Sequence, residues 1–385
     1  MHVVIAPDSF KESLTSPEVA AALERGWLQG APGSTCRRVP LADGGEGTVR
    51  ALVEATDGRL ETREVTGPLG DPVSATFGML GGPGPVTAVV EVAAASGLAL
   101  VAASHRDAAR ATSYGTGELV AAALDLGARR IVLGLGGSAS TDGGSGLVQA
   151  LGVRLLDEHG TEVRHGGAEL GRVAQVDVRH RHPALDGCEL VAACDVDNPL
   201  SGPDGAAAVF GPQKGADPAT VTLLDHHLEH LACVVARAGL TADPAARGSG
   251  AAGGIGFAVV ALLDGALRPG FEIVAEAVGL DALLDGADLV ITAEGRLDAQ
   301  SLAGKTPVGV LRRARDRGIP VVAVAGSLGE GADELLAAGM TAVLSVVPGI
   351  VTLEQALEDT SLNLERVGRS LGSVWAAAAG TGRSE

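Results

Sequence analysis

The chain is 385 residues long, enough for two domains, and its 46% hydrophobic and 20% charged content is that of an ordinary globular protein. Only 2% is aromatic, so the core has to be built from Ala, Val, Leu and Ile. Its 29 basic and 47 acidic side chains give a net charge of −18, which repels phosphodiesters and excludes nucleic acid as the expected partner; a small anionic substrate would have to meet locally placed Lys, Arg or backbone N–H groups.

The N-terminus enters a strand at once. "HVVIA" (2–6) is apolar and β-branched and runs into the polar loop "PDSFK". It lacks a basic segment followed by a long apolar one, so no signal peptide is read and a cytoplasmic protein is expected. The loop "ADGGEGT" (42–48) precedes a helical stretch, "VRALVEAT". Residues 59 to 85 are rich in Gly and Pro and read as a crossing between domains or an edge hairpin. "TAVVEV" (87–92) is the next strand; the apolar stretch around it, Val86 to Ala103, is broken by Glu91, Ser96 and Gly97, which argues against a membrane span. Further strands are "RIVLGL" (130–135), "ELVAAC" (189–194), "DLVITA" (288–293), "VVAVAG" (321–326) and "AVLSVV" (342–347). "TADPAARGSGAAGGIGF" (241–257) divides the middle of the chain, and the last thirty or so residues read as a helix with a frayed tail. Such strands alternating with Ala- and Leu-rich helical stretches predict a mostly parallel α/β sheet. Ligands of such sheets sit beyond the carboxyl ends of the strands, where this chain places "PDSFK", "GGSAST", "DVDNP", "EGRLD" and "GSLGE". The four cysteines, Cys36, Cys188, Cys194 and Cys233, have no CxxC spacing, so reduced thiols are expected rather than zinc or disulfides.

The stretch "IVLGLGGSASTDGGSGLVQALG" (131–152) begins as a strand, becomes almost side-chain-free and resumes as a helix. It has no lysine and so fails as a P-loop; "GKT" at 304–306 fails too, because the first glycine of that motif would fall on Ala299. Gly134, Gly136 and Ala139 match the dinucleotide fingerprint, and Asp157 follows at about the distance of a ribose-binding acid. The helix, however, is delayed by "SASTDGGSG", which favours a phosphate cradle without a P-loop lysine. In that cradle Gly136 and Gly137 let the backbone approach, Ser138, Ser140 and Thr141 add hydroxyl donors, and Asp142 either holds Mg²⁺ or caps the helix. The Asp–Gly–Gly of this stretch echoes "ADGGEGT".

"CDVDNPLSGPDGA" places Asp195 and Asp197 two residues apart just beyond a strand, with Asn198 beside them, a donor set suited to Mg²⁺ if the extended chain continues. Phosphoryl transfer also needs a base at the acceptor hydroxyl and cations against developing charge. Candidate cations are Lys11, Lys214, Arg296 and Lys305, all in glycine- or proline-bearing loops, although a surface position is the plainer expectation for Lys214.

At this point the chain resembles the bacterial glycerate kinases that phosphorylate D-glycerate from ATP. The resemblance is carried by "APDSFKESL", "ADGGEGT", "LGLGGSASTDGGSGLVQALG", "CDVDNPLSGPDGAAAVFGPQKGA", "GSGAAGGIGF" and "DLVITAEGRLDAQSLAGKTPVGV", in the family's order from Ala6 to Val310. Where the family usually has Gly in "PDSFKGSL" this chain has Glu12, and where it often has "GGSATNDGG" this chain has Ser140 and Thr141. The resemblance implies two unlike α/β domains with the active site in the cleft between them. One is a flavodoxin-like, doubly wound parallel sheet built discontinuously from residues 1–75 and 285–385; the other is inserted at 76–284. It also implies 2-phosphoglycerate as the product.

The resulting expectation is a kinase that uses ATP and Mg²⁺, with glycerate as its small-molecule substrate and monomer and homodimer equally compatible. Gly136, Gly137, Ser138, Ser140, Thr141, Gly143 and Gly144 would cradle the nucleotide, and Asp195 and Asp197 would hold the metal. Lys11 and Arg296 would meet the substrate carboxylate or the transferred group, with Asp8 or Asp43 as base. Ser9, Glu46, Asp298 and Lys305 complete the substrate side. The competing readings are an NAD(P)-dependent oxidoreductase of a small hydroxy acid, resting on Gly134, Gly136, Ala139 and Asp157, and a non-catalytic binding protein.

Overall fold

The computed structural model describes residues 1–45, 47–241, 243–299, 301 and 305–381. The chain divides into two compact units, one formed by Met1–Asp43 and Phe271–Glu385, the other by Gly44–Gly270. The described strands are, in chain order, β1 (His2–Ile5), β2 (Thr35–Arg38), β3 (Arg59–Thr66), β4 (Pro72–Met79), β5 (Thr87–Glu91), β6 (Arg130–Gly134), β7 (Arg154–Leu156), β8 (Gln175–Asp177), β9 (Glu189–Ala193), β10 (Ala266–Arg268), β11 (Leu289–Leu297), β12 (Val321–Leu328) and β13 (Ala342–Ser345).

The discontinuous unit has one sheet in the order β13-β12-β11-β1-β2, every pair parallel. Counted within the unit this is the flavodoxin-like order 2-1-3-4-5, as expected. A central parallel strand is covered on both faces, so Val3, Val4 and Ile5 of β1 and Leu289, Val290 and Ile291 of β11 are all fully buried. The helix Ser16–Gly30 begins at a capping box between Thr15 and Glu18. It lies against the helix Thr360–Thr381 through glycines one turn apart. A Cβ on Gly26 would sit 2.0 Å from the Glu365 carbonyl oxygen, and one on Gly30 2.3 Å from that of Arg369. Gly368 and Gly372 face them, so the two backbones touch without intervening side chains.

The continuous unit carries a six-stranded sheet in the order β10-β9-β6-β5-β4-β3. Strands β5, β6, β9 and β10 are parallel, while β4 runs antiparallel to β5 and forms a hairpin with β3. Strands β7 and β8 make a separate antiparallel pair. The sequence places the domain boundaries at 75/76 and 284/285, whereas the units part at Asp43/Gly44 and Gly270/Phe271. The Gly/Pro-rich stretch is the edge hairpin of the second sheet and not a crossing, so β3 and β4 belong together with β5. At the other boundary, Phe271 lies where a Cβ on Gly309 would fall within 2.3 Å of its ring, and Arg313 pairs with Glu272 and Asp281. Residues 271–284 are thereby tied to the flavodoxin-like unit. No helix among the described residues is long and apolar enough to cross a membrane.

Candidate active site

In the flavodoxin-like unit β1 and β11 meet at the point where strand order reverses, the place where this architecture opens a crevice. The chain leaving β1 stays hydrogen-bonded to β11, with the N–H of Ala6 and of Asp8 donating to the carbonyls of Ile291 and Ala293. Asp8 is thus fixed at the strand end and is only 8% exposed. Its Oδ1 accepts from the Ser9 N–H at 2.6 Å and its Oδ2 from the Thr306 hydroxyl at 2.6 Å. Burial first, and then the negative charge of Asp43, push its carboxyl up to about 7; the two hydrogen bonds pull the other way, and Glu294 adds a smaller upward push.

Glu294 lies on β11, with Oε1 3.0 Å from Lys305 Nζ and with Oε2 buried and, among the described residues, without a hydrogen-bond partner. Burial raises its carboxyl above the usual range, against the opposing pull of the ammoniums of Lys305 and Lys11. Lys305 is the N-cap residue of the helix Thr306–Arg315, whose positive dipole end therefore starts beside the same carboxylates. Asp8, Asp43, Lys11 and Lys305 are brought into one electrostatic cluster, joined by Glu294 and Thr306, which the sequence reading did not select. Both sit in "EGRLD" and "GKTP", beside the cations Arg296 and Lys305 that mark those loops in the sequence. Arg296 forms a separate pair with Asp298 at 3.0 Å, and Ser9 contributes its backbone N–H. Glu46 lies outside the described residues. Glu12, which stands where the resembling family has Gly, adopts a φ of +66°, a left-handed conformation that glycine takes at no steric cost.

In the other unit, β6 feeds the glycine loop and the short helix Ser145–Ala150. Gly136 and Gly137 are exposed, whereas Ser140, Thr141 and Asp142 are wholly buried. The hydroxyls of Ser140, Thr141 and Ser145 are buried and have no hydrogen-bond partner among the described residues. Asp142 accepts from the Ser113 N–H and hydroxyl, each at 2.8 Å, and from the N–H groups of Gly144 and Gly146. It caps and braces the loop, so of its two expected roles the structure displays the cap. Gly143 and Gly144 have φ of +63° and +72°. A Cβ on either would lie 2.7 Å from Leu231 Cδ2 or 2.5 Å from Ala258 Cβ. Those glycines let the loop pack on the helices Pro218–Arg237 and Ala251–Leu263; they do not face outward. Of the seven expected cradle residues, only Gly136 and Gly137 are open to solvent, with Ser138 nearly buried.

Lys214 departs furthest from expectation. It is 3% exposed, and its Nζ donates to Ser138 Oγ at 2.9 Å and to the Ser140 carbonyl at 2.6 Å. The expected pairing of Asp195 with Asp197 also dissolves. Strand β9 ends at Ala193, Asp195 Oδ1 accepts from the Gly270 N–H, and Asp197 is gripped by both arms of Arg247 at 2.8 and 2.5 Å. Asp157, the acid on which the dinucleotide reading leaned, accepts from the N–H groups of His159 and Thr161 and pairs with Arg172; it closes a turn after β7.

Comparison with known proteins places these features in context. Residues 3–376 match the model of the glycerate kinase family. The chain is 48% identical over 371 residues to a glycerate kinase of Bacillus subtilis (strain 168), covering 96% of this chain and 97% of that one. It is 46% identical over 376 residues to a glycerate 2-kinase of Escherichia coli (strain K12), covering 98% of each. A crystal structure from Salmonella typhimurium LT2 described as glycerate kinase 2 superposes with a TM-score of 0.90 at 47% identity, covering 98% of this chain and 99% of the other.

Proposed function

This chain belongs to the glycerate kinase family, and on that premise we propose that it transfers the γ-phosphoryl group of ATP to D-glycerate, giving 2-phosphoglycerate and ADP. The observation that carries the chemistry is Asp8, a buried carboxylate whose pKa is raised to about 7. A base matched to neutral pH takes the hydroxyl proton as the substrate oxygen forms its bond to phosphorus and the bond to the ADP oxygen breaks. Lys11, Lys305 and the N-terminal end of the helix Thr306–Arg315 supply the positive charge that receives the glycerate carboxylate. Arg296, already engaged by Asp298, is assigned no step.

The exposed backbone of Gly136 and Gly137 receives the nucleotide phosphates. Among the described residues no three His, Cys, Asp or Glu side chains are grouped to hold a metal ion, so a magnesium caged by protein side chains does not fit. Asp195 alone fits a magnesium whose other ligands are phosphate oxygens and water, which would neutralise phosphate charge. Asp197, held by Arg247, is left out of the donor set.

Incubation with MgATP and D-glycerate followed by ³¹P NMR is expected to show 2-phosphoglycerate. A folded protein that forms no phosphorylated product removes the reading, and a 3-phospho product overturns its regiochemistry. Asp43→Asn decides between the two candidate bases. Removing the charge that raises Asp8 is expected to move the acidic limb of the kcat profile down by roughly one pH unit, with kcat at pH 8 within a few-fold of wild type. A loss of roughly a hundredfold at every pH would make Asp43 the base instead.

A further inference from the structure

Lys214 is a buried ammonium that the reaction scheme above does not use. It reaches the glycine loop from a distant segment, "FGPQKG", through the single turn Pro212–Lys214. That turn is locked. Gly215 has a φ of +92°, a Cβ there would fall 2.3 Å from the Arg106 carbonyl oxygen, and Arg106 donates to the Gln213 carbonyl at 3.1 Å. No ion pair reaches Lys214 among the described residues; its two acceptors are the Ser138 hydroxyl and the Ser140 carbonyl. The walls beside it are largely apolar, formed by Leu69, Leu98, Val101, Ala111 and Ala139. An unbranched apolar side chain would fill such a place at a smaller desolvation cost. Stability alone therefore does not account for a lysine here.

What the ammonium does is hold the loop from beneath. On the other side the loop is pinned to residues 96–98, since the Leu98 N–H donates to the Gly137 carbonyl and the Ala139 N–H to that of Ser96. Between these two anchorages Gly136 and Gly137 are exposed residues, and their N–H groups donate to no described residue. Gly137 has a φ of +70°, the conformation that turns successive amides towards one side.

We propose that Lys214 is a positioning residue for the nucleotide: clamped on Ser138 and Ser140, it presents the Gly136 and Gly137 amides and places a positive charge under the phosphates, in the stead of the lysine that this loop lacks. This rests on the reading of the loop as an ATP cradle. Burial lowers the Lys214 pKa to about 8, while Asp142 opposes the shift; Arg106 and Asp107 are the other charged groups at its walls. The ammonium and its field are consequently lost as pH rises through about 8.

The test is Lys214→Met. The variant is expected to fold with an undiminished Tm, to raise the KM for ATP tenfold or more and to leave the KM for glycerate within twofold. The rise in wild-type KM for ATP above pH 8 should be absent from it. A merely structural lysine predicts the reverse, a lower Tm with no selective change in either KM, and that result overturns the proposal. Thermal shift with MgATP separates the two layers of the argument: a wild type that MgATP does not stabilise refutes the cradle itself, whereas equal stabilisation of wild type and variant refutes only the role of Lys214. Should Lys214→Met fail to fold, Ser138→Ala removes one of the two clamping bonds; a threefold or greater rise in KM for ATP supports the clamp, and an unchanged value overturns it.

Discussion

Asp8→Asn is expected to lower kcat by roughly 10²–10⁴-fold and at the same time to make the protein more stable at pH 8. The two effects have one cause. Burial and the neighbouring charge of Asp43 disfavour the Asp8 anion, so that its carboxyl is raised to about 7 in the folded chain. In the unfolded chain it titrates near 4. Between those values the folded protein keeps a proton that the unfolded protein has lost, and stability therefore falls as pH rises across that window and stays low above pH 7. The three-unit difference corresponds to a penalty on the order of a few kcal/mol. Asn, neutral and nearly isosteric, avoids it and can still accept from the Ser9 N–H and meet the Thr306 hydroxyl. Urea unfolding of wild type and variant at pH 4 and pH 8 is the check: the variant should be the more stable at pH 8, with the difference vanishing at pH 4. A variant that loses activity without this pH-dependent gain would show that Asp8 is not held as a disfavoured anion. One that gains stability but keeps its kcat would show that it is not the base.

The seven strands read from the sequence are all present, and all but the edge strand β13 are buried on one or both faces and so appear as β-branched, apolar runs. Those that escaped notice carry no such signal. Strand β2 is "TCRR", almost wholly exposed at a sheet edge, and β3, "RLETREVT", has only two apolar residues, so the sequence offers it no more than an edge hairpin as one of two alternatives. Pairing decides both: β2 adds to β1, some thirty residues earlier, and β3 folds back on β4, the next strand in the chain. The candidate site was legible where the aspartates Asp8 and Asp43 lie near strand ends and where Lys11 and Lys305 lie in glycine- or proline-bearing loops, and these four do gather. Side-chain direction was not legible. Nothing in "GGSASTDGG" reveals that its hydroxyls turn inward, and nothing in "FGPQKG" that its lysine is buried, since both depend on contacts with segments tens of residues away. The same holds for Asp197, whose carboxylate is taken by Arg247 some fifty residues on.

Those long-range contacts make "GSGAAGG" a place where a single methyl group should harm both stability and the glycine loop. Ala252, Gly253 and Gly254 are three consecutive left-handed residues at the start of the helix Ala251–Leu263, with φ of +50°, +71° and +97°. The bend lays their backbone directly on the glycine loop. The Gly143 N–H donates to the Gly253 carbonyl, and a Cβ on Gly253 would sit 2.1 Å from the Ser140 carbonyl oxygen and 2.8 Å from Thr141 Cα. These are backbone atoms and cannot rotate aside, and the Ser140 carbonyl is the one that Lys214 holds. Gly253→Ala is expected to cost about 2–5 kcal/mol, from the left-handed penalty of an L-residue together with overpacking. It should also abolish stabilisation by MgATP, because the displaced segment is the loop that presents Gly136 and Gly137. Ala252→Gly serves as the control, since it removes a methyl group from a left-handed residue without adding any atom against the loop and should change stability by no more than about 1 kcal/mol in either direction. Urea denaturation with and without MgATP measures both. A Gly253→Ala protein with wild-type stability and an intact nucleotide response would mean that the loop is not held against this bend, and the route from "GSGAAGG" to the phosphates would have to be abandoned.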